Sequence, residues 1–407
     1  MFKKISVIIA ATMLAASLTA CSSGGDGSSA AAGSTSDSAA STSQSIINTA
    51  NNADTSSTTV FTERDMTQSV DTTDSKTITM SDGKNVTITE AGVYEIKGSA
   101  KDAEIIVDAA DDAKVQLVLN GVTLTNSSLP CVYVKNADKV FVTTQKGTTN
   151  ALSVTGTFSA DGNTKTDAVI FSKDDLVLNG EGMLNISSTD NGISGKDDIK
   201  ITGGTLSIDC ASDAIETNDD ISVADGYITI NSQKDGLHAE NDEVNTQGSI
   251  YIGGGTLNIN ASSDGIQGTT TVVIDGGTIN ISSSEGIEAT NVTINDGDIT
   301  IEASDDGINA TNKSTAASIA VTINGGSIKI NMGAGDTDGI DSNGDIYITG
   351  GTVDISGQSC CDYDGKAEKT GGTLIINGTE TDTIPNQMMG GGMGGGQMPG
   401  GMGGFNR

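Results

Sequence analysis

Three pairs of aspartates, Asp174-Asp175, Asp197-Asp198 and Asp219-Asp220, stand directly before short apolar alternations, Leu176-Val177-Leu178, Ile199-Lys200-Ile201 and Ile221-Ser222-Val223. The pairs recur at about 22 residues, and a chain coiling with that period turns them into vertical neighbours. Alternation then places Asp175, Asp198 and Asp220 outside, on the face of Val177, Lys200 and Ser222, with Asn241-Asp242 as a fourth level. Two carboxylates about 5 Å apart repel by about 1 kcal/mol in water and about 3–4 kcal/mol at an effective dielectric near 20. A cation between them removes that cost. Hard oxygen ligands without imidazole or thiolate favour Ca²⁺ over Zn²⁺, and an ion midway between levels stands about 2.4 Å from each oxygen. The competing reading is a solvated acidic edge, balanced by Lys173, Lys196 and Lys200.

A second acidic column runs further: Asn191, Asp213, Asp235, Asp264, Glu285, Asp306, Asp338 and Asp364. Asp before Gly is ordinary turn chemistry, so this column is weaker evidence for a ligand. Glu285 nevertheless keeps an acid where a turn alone favours Asp or Asn. Glu216, Glu288 and Asp341 follow two or three positions on and could complete individual ion sites. The single His238 reads as incidental to its corner, and no nucleophile–His–acid triad can be assembled around it.

The elements that must hold these columns are short strands. From Gly182 to Thr373 the chain repeats Gly followed by apolar residues two and four positions on, as in Gly204-Thr205-Leu206-Ser207-Ile208 and Gly277-Thr278-Ile279-Asn280-Ile281. An Ile-x-Ile phrase precedes most copies and an Asp-Gly-Ile phrase follows, as at Asp264-Gly265-Ile266. Alternation of period two marks strands with one buried face, and Gly, Asn-Gly and Asp-Gly punctuate the corners. The predicted fold is all-β, a right-handed parallel β-helix (solenoid) with three short strands per rung and about 22 residues per rung. A β-sandwich or propeller is the weaker alternative, because propeller repeats run to about 40 residues with aromatic signatures absent here. Residues 76–165 are strand-rich but irregular and are expected to add rungs and a cap within a domain spanning 76–380. Glu243 to Gly248 and Lys313 to Ser318 read as polar insertions between rungs.

At the ends the reading is one of address. Residues 1–20 carry Lys3, Lys4 and an apolar run, closing on Leu18-Thr19-Ala20-Cys21, which resembles a bacterial lipobox with Cys21 as the lipidated residue. Residues 21–75 read as a Ser/Thr/Ala/Gly-rich tether. Residues 381–407 read as a Gly/Met tail, whose Met388, Met389, Met393, Met398 and Met402 admit a weaker Cu(I) reading. A net charge of −32 argues against nucleic acid and anionic lipid. The expected location is therefore extracellular, or periplasmic in a cell with an outer membrane, held by lipid alone. Cys210 is in phase with the core residues Leu206 and Ile208, and no disulfide framework is legible among Cys131, Cys210, Cys360 and Cys361.

Outward positions after each repeat Gly, namely Asn185, Ser207, Thr229, Asn258, Asn280 and Thr300, are small and polar and could align into a hydrogen-bonding face. Tyr251 and Tyr347 share an outward position about four rungs apart and could each stack on a sugar ring, with Lys200 in the same row. A calcium-dependent lyase would add a basic residue beside the carboxylate-held ion; Lys196 and Lys173 are the candidates, each more simply a countercharge. A hydrolase's acid pair cannot be selected among so many carboxylates.

The Ile-x-Ile-x-Gly-Gly-Thr-Leu-x-Ile and Asp-Gly-Ile phrases, the Thr77-Ile78-Thr79 to Tyr94-Glu95-Ile96 opening and the Gly/Met tail together resemble bacterial extracellular carbohydrate-binding proteins with a parallel β-helix, first recognised in clostridia. The resemblance covers roughly residues 77 to 380. It implies binding of cellulose and acidic sugars such as polygalacturonate, calcium in the coil, and kinship of fold with pectate lyases without established catalysis. The expectation is a non-catalytic, calcium-stabilised, monomeric polysaccharide binder on the cell surface. The alternatives are a calcium-dependent pectate lyase, and a surface adhesin or spacer without sugar specificity.

Overall fold

The computed structural model describes residues 60–241, 243–334 and 337–386. The export signal, Cys21, most of the tether and the methionines of the tail lie outside the described residues. Among the described residues there is no helix, and so none long and apolar enough to cross a membrane.

The strands wind as a parallel solenoid in three columns. The first column stacks Leu176↔Ile199, Ile199↔Ile221 and Ile221↔Ile250. The second stacks Leu206↔Ile228, Ile228↔Leu257 and Leu257↔Ile279. The third is a 12-stranded parallel sheet, with Ile215↔Leu237 and Leu237↔Ile266 as typical neighbours. Each pairing joins residues one repeat apart, so the apolar phrase of every rung lands on that of the next. Ile, Leu and Val of all three columns fill one continuous core, most of them without exposed surface. Early in the chain, Gly92–Lys101 and Lys114–Asn126 each run through the first two columns, which unites them as a 24-stranded sheet. The last rung ends on an antiparallel pairing of Thr373–Ile376 with Thr379–Thr381. That hairpin occupies an edge that would otherwise offer unpaired backbone groups.

Two expectations need correction. The Asp-Gly-Ile phrases supply no positive-φ corner: Asp264–Gly268 and Asp338–Ser342 are strands of the third column, and Asp235-Gly236 and Asp306-Gly307 lead directly into the strands Leu237–Ala239 and Ile308–Ala310. The glycines with positive φ are instead those opening the Gly-Thr-Leu phrase, such as Gly255 (φ 91) and Gly277 (φ 100). In Asp-Gly-Ile the glycine is required by close stacking, since a Cβ on Gly265 would lie 2.7 Å from the carbonyl oxygen of Gly286 in the next rung.

The second correction concerns residues 60–75, expected to be tether. Residues 60–68 instead lie across the outward row of the first column, Phe141, Val177, Lys200, Ser222 and Tyr251. Phe61 packs on Tyr251 at 6.1 Å between ring centroids, and the Arg64 guanidinium stands 4.4 Å over the Phe141 ring. The Gln68 side chain donates to the Thr202 carbonyl and accepts from Gly180 N–H. Thr62 and fully buried Asp65 cap each other's backbone amides, at 2.9 and 3.2 Å. Few large side chains were available in this stretch to signal docking; two aromatic contacts and a reciprocal cap suffice.

Candidate binding face and acidic columns

In the second column the outward residues expected to line up do so. Asn185, Ser207, Thr229, Asn258, Asn280 and Thr300 are successive register partners. A parallel row, Asn231, Asn260, Ser282 and Glu302, stands beside them. Between the rows lies an open groove of about 340 Å³, within the range of small-molecule clefts. Asn280 donates to Asn258 Oδ1 at 3.0 Å, so neighbouring amides are oriented as a ladder. Each amide in such a ladder retains outward donors and acceptors.

The first column offers less than expected. Tyr251 is 9% exposed, covered by Phe61, and donates to Asp275 at 3.0 Å. Lys200 donates to the Val60 carbonyl at 3.0 Å and stands 3.8 Å from Asp198. Neither is presented to a ligand, because residues 60–68 occupy their face. Tyr347 stays at the surface, tied to Asp345 at 2.7 Å. Lys196 and Lys173 lie over the rings of Phe171 and Tyr133, at 5.7 and 5.8 Å.

Asp175, Asp198 and Asp220 do follow one another in register, immediately before Leu176, Ile199 and Ile221. In the Asp220 row the fourth level is Ser249, because the first column resumes at Ile250 after the inserted loop, whereas Asn241 stays against Asp219 and Asp242 lies outside the described residues. The carboxylates also serve the backbone: Asp220 N–H donates to Asp198 at 3.3 Å and Ser249 N–H to Asp220 at 2.7 Å. Asp175 pairs with Lys139 at 3.1 Å, and Asp174 accepts Ala137 N–H at 3.0 Å. The oxygens that converge are those of Asp197, Asp198 and Asp219, all within 4.8 Å of one another. Burial and the neighbouring Asp197 push Asp219 up to about 6, while Asn241 and Gln247 donate to it. This is a hard-oxygen set suited to Ca²⁺.

The third column carries the more extended array. Asn191 Oδ1 accepts Asp213 N–H, Asp213 accepts Asp235 N–H and Asp235 accepts Asp264 N–H, at 3.0, 2.9 and 3.0 Å. Asp306 likewise accepts Asp338 N–H at 3.0 Å. One oxygen of each side chain therefore satisfies the backbone of the next rung, which explains the short Asp and Asn here without any turn. Asp364 leaves this column, since Asp338 pairs with Ser359. A second row lies alongside: Ser194, Glu216, His238, Gln267, Glu288, Asn309, Asp341 and Asp362 in consecutive register.

Asp264, Glu285 and Glu288 bring oxygens within 4.8 Å of one another. Burial and the adjoining carboxylates hold Asp264 well above the usual range and push Glu285 to about 7. Burial does the same to Asp306, at about 7, and to Asp341, at about 6, where Asp338 adds repulsion. Their oxygen-only composition fits a calcium ion. Lys313 meets part of the demand at 2.7 Å from Glu288, with Gln267 and Asn309 donating to Glu288 and Glu285.

The raised carboxyls set a pH dependence. A carboxyl whose folded pKa exceeds its unfolded value binds more protons when folded, so stability falls as pH rises through the folded pKa. His238, raised by Asp213 and Asp235 against its burial, acts in the same direction. In EGTA the melting temperature is therefore expected to fall between about pH 5 and pH 8, and Ca²⁺ is expected to flatten the profile. Circular dichroism melts with and without Ca²⁺ check both; a rising profile in EGTA would contradict the buried acids.

The two insertions, expected only to be tolerated, wall a cleft. Both leave the same corner, between the third and first columns, and meet where Asn245 donates to Thr315 at 2.9 Å and Ser314 to the Asn245 carbonyl at 2.6 Å. The cleft holds about 410 Å³ and is lined by Glu240, Asn241, Asn245, Gln267, Lys313 and Thr315 among others. Their shared corner is the sequence signal that could have found it.

Among known proteins, a carbohydrate-binding domain-containing protein of Acetivibrio thermocellus is 34% identical over 126 residues, which is 30% of this chain. The match spans 44% of that relative's own length. A solved structure of a polysaccharide lyase-like protein from C. thermocellum, a gadolinium derivative, shares 23% identity over 74% of this chain and 96% of that one, with a TM-score of 0.34. Superposition at that score transfers no site. The pattern of one family matches residues 82–333 and 284–389, more than half of the chain, which belongs to the carbohydrate-binding domain-containing proteins.

Proposed function

We propose that this protein binds polysaccharide along the second-column groove and does not cleave it. The observation that carries this reading is the aligned amide and hydroxyl row of Thr229, Asn258, Asn280 and Thr300, open to solvent over four rungs. A row of repeated, evenly spaced donors and acceptors suits a ligand that is itself a repeat, and family membership supports a carbohydrate as that ligand. Cellulose and polygalacturonate are the glycans we favour. The coil is read as right-handed with about 22 residues per rung.

Ca²⁺ completes the reading. Asp197, Asp198 and Asp219 would hold one ion, and Asp264, Glu285 and Glu288 another. Bound there, calcium neutralises stacked carboxylates and joins successive rungs. Asp174, Asp175, Asp220, Glu216, Asp306 and Asp338 shape the surrounding field. The chain is read as exported, anchored through lipid on Cys21, and monomeric.

A lyase needs a free base beside a carboxylate-held ion. Lys196 and Lys173 face aromatic rings, and Lys313 is paired with Glu288, which favours binding over cleavage. Incubation with pectin and with cellulose, with and without EGTA, separates the readings. Retention without new absorbance from unsaturated uronates is expected. Product formation would make it a lyase, and absence of retention on either glycan would leave a spacer.

A further inference from the structure

We propose that Asp213, Asp235 and His238 form a site for a divalent transition ion, for which Zn²⁺ is the probe, at a rung where imidazole joins the acidic column. The oxygens of both aspartates and a nitrogen of His238 lie within 4.8 Å of one another, and all three residues are buried. The column elsewhere offers oxygen alone. Here the chain's one histidine replaces a carboxylate or amide of the second row, between Glu216 and Gln267.

The position of the imidazole is the independent sign of a ligand. His238 is 6% exposed, and its Nδ1 makes no hydrogen bond although it faces two carboxylates. Nδ1 stands 3.4 Å from Asp235 Oδ2 and 3.7 Å from Asp213 Oδ2. Charge-assisted hydrogen bonds run shorter, about 2.7–2.9 Å. Two ligands at zinc distance on a tetrahedral ion stand about 3.4 Å apart. The Asp235 contact has that spacing and Asp213 stands slightly beyond it, so a small inward shift of Asp213 brings all three atoms around a common ion.

The surroundings fit. On the other edge of the ring, Nε2 lies 3.3 Å from Glu240 Oε2. A carboxylate there keeps the proton on Nε2 and leaves the Nδ1 lone pair for metal, the usual arrangement behind a metal-bound histidine. Asp213 and Asp235 each spend Oδ1 on the backbone amide of the next rung. Their Oδ2 atoms are the ones turned to His238. The mouth is held by Lys234, whose Nζ is 2.9 Å from Asp213 Oδ2 and 3.8 Å from Asp235 Oδ2, on a half-exposed side chain. An arriving ion displaces this ammonium to solvent, and water fills its remaining coordination. Nitrogen with two carboxylates suits a borderline ion better than Ca²⁺.

The test uses the purified chain, stripped with EDTA and returned to excess Ca²⁺ so that oxygen-only sites are filled. Zn²⁺ is titrated by calorimetry, and Co²⁺ is followed by visible absorption. We expect stoichiometric Zn²⁺ uptake and a Co²⁺ spectrum that His238→Gln abolishes. Glu240→Gln is expected to weaken Zn²⁺ by about 10–100-fold, and Lys234→Met to tighten it by freeing the mouth. These last two side chains are exposed enough to change without unfolding the coil, so they decide the matter if His238→Gln fails to fold. No stoichiometric Zn²⁺ in the wild type, wild-type affinity in folded His238→Gln, or weaker binding in Lys234→Met would each overturn the site. Because no glycan is involved, the outcome is separate from that of the binding assays.

Discussion

Gly265→Ala is expected to destabilise the coil by about 3 kcal/mol. The new methyl carbon would stand 2.7 Å from the Gly286 carbonyl oxygen and closer still to Ile281 Cγ2. Neither neighbour can yield. The carbonyl belongs to the parallel ladder of the third column, and Ile281 is core at 3% exposure. The same closeness recurs at Gly192 against Ala214 and at Gly339 against Cys360, with carbonyl oxygens at 2.6 and 2.8 Å. Stability in a solenoid resides in the contacts between neighbouring rungs, so the lesion falls where the fold is coupled. Denaturant unfolding followed by circular dichroism gives the change in midpoint. Gly162→Asn is the control: Gly162 has φ 60 with open space around it, and Asn tolerates that conformation. An unshifted midpoint for Gly265→Ala would refute stacking as the reason for the glycine.

The double substitution Asn258→Ala with Asn280→Ala is expected to weaken glycan retention by about tenfold or more while leaving the fold intact. Each hydrogen bond lost to a ligand is worth about 0.5–1.5 kcal/mol, and about 1.4 kcal/mol is a factor of ten. The two amides are register neighbours joined by their own hydrogen bond, so removing both takes out the centre of the ladder. Their Cβ atoms point away from the core filled by Leu257, Ile259, Ile279 and Ile281, hence little change in melting temperature is expected. Depletion isotherms on cellulose and pectin measure the effect. Undiminished affinity would move the site away from the groove, with the cleft between the two insertions next to be tried.

How much of this could be read along the chain depends on whether a property is local. The strand period, the vertical alignment of Asp175, Asp198 and Asp220, and the polar row from Asn185 to Thr300 all follow from repeat spacing, because a parallel coil stacks equivalent residues. The fourth level of the Asp220 row passed to Ser249 because an insertion precedes Ile250, while Asp364 failed because Ser359-Cys360-Cys361 takes the Asp-Gly-Ile place at ordinary spacing and the Asp364-Gly365 dipeptide lies beyond that strand. The Asp-Gly phrases misled because a glycine needed for close approach and one needed for positive φ look alike in sequence.

The residues by themselves determined an all-β repeat, its core and the columns in which like side chains gather, since periodicity alone dictates which face each residue takes. Only the tertiary structure decided what covers those columns. Residues 60–68 bury Tyr251 and Lys200 through contacts more than a hundred positions away. His238 gains its carboxylate neighbours from the register between rungs. Repeat spacing specifies which residues stack, whereas packing between segments outside the repeat specifies which of them still meet solvent.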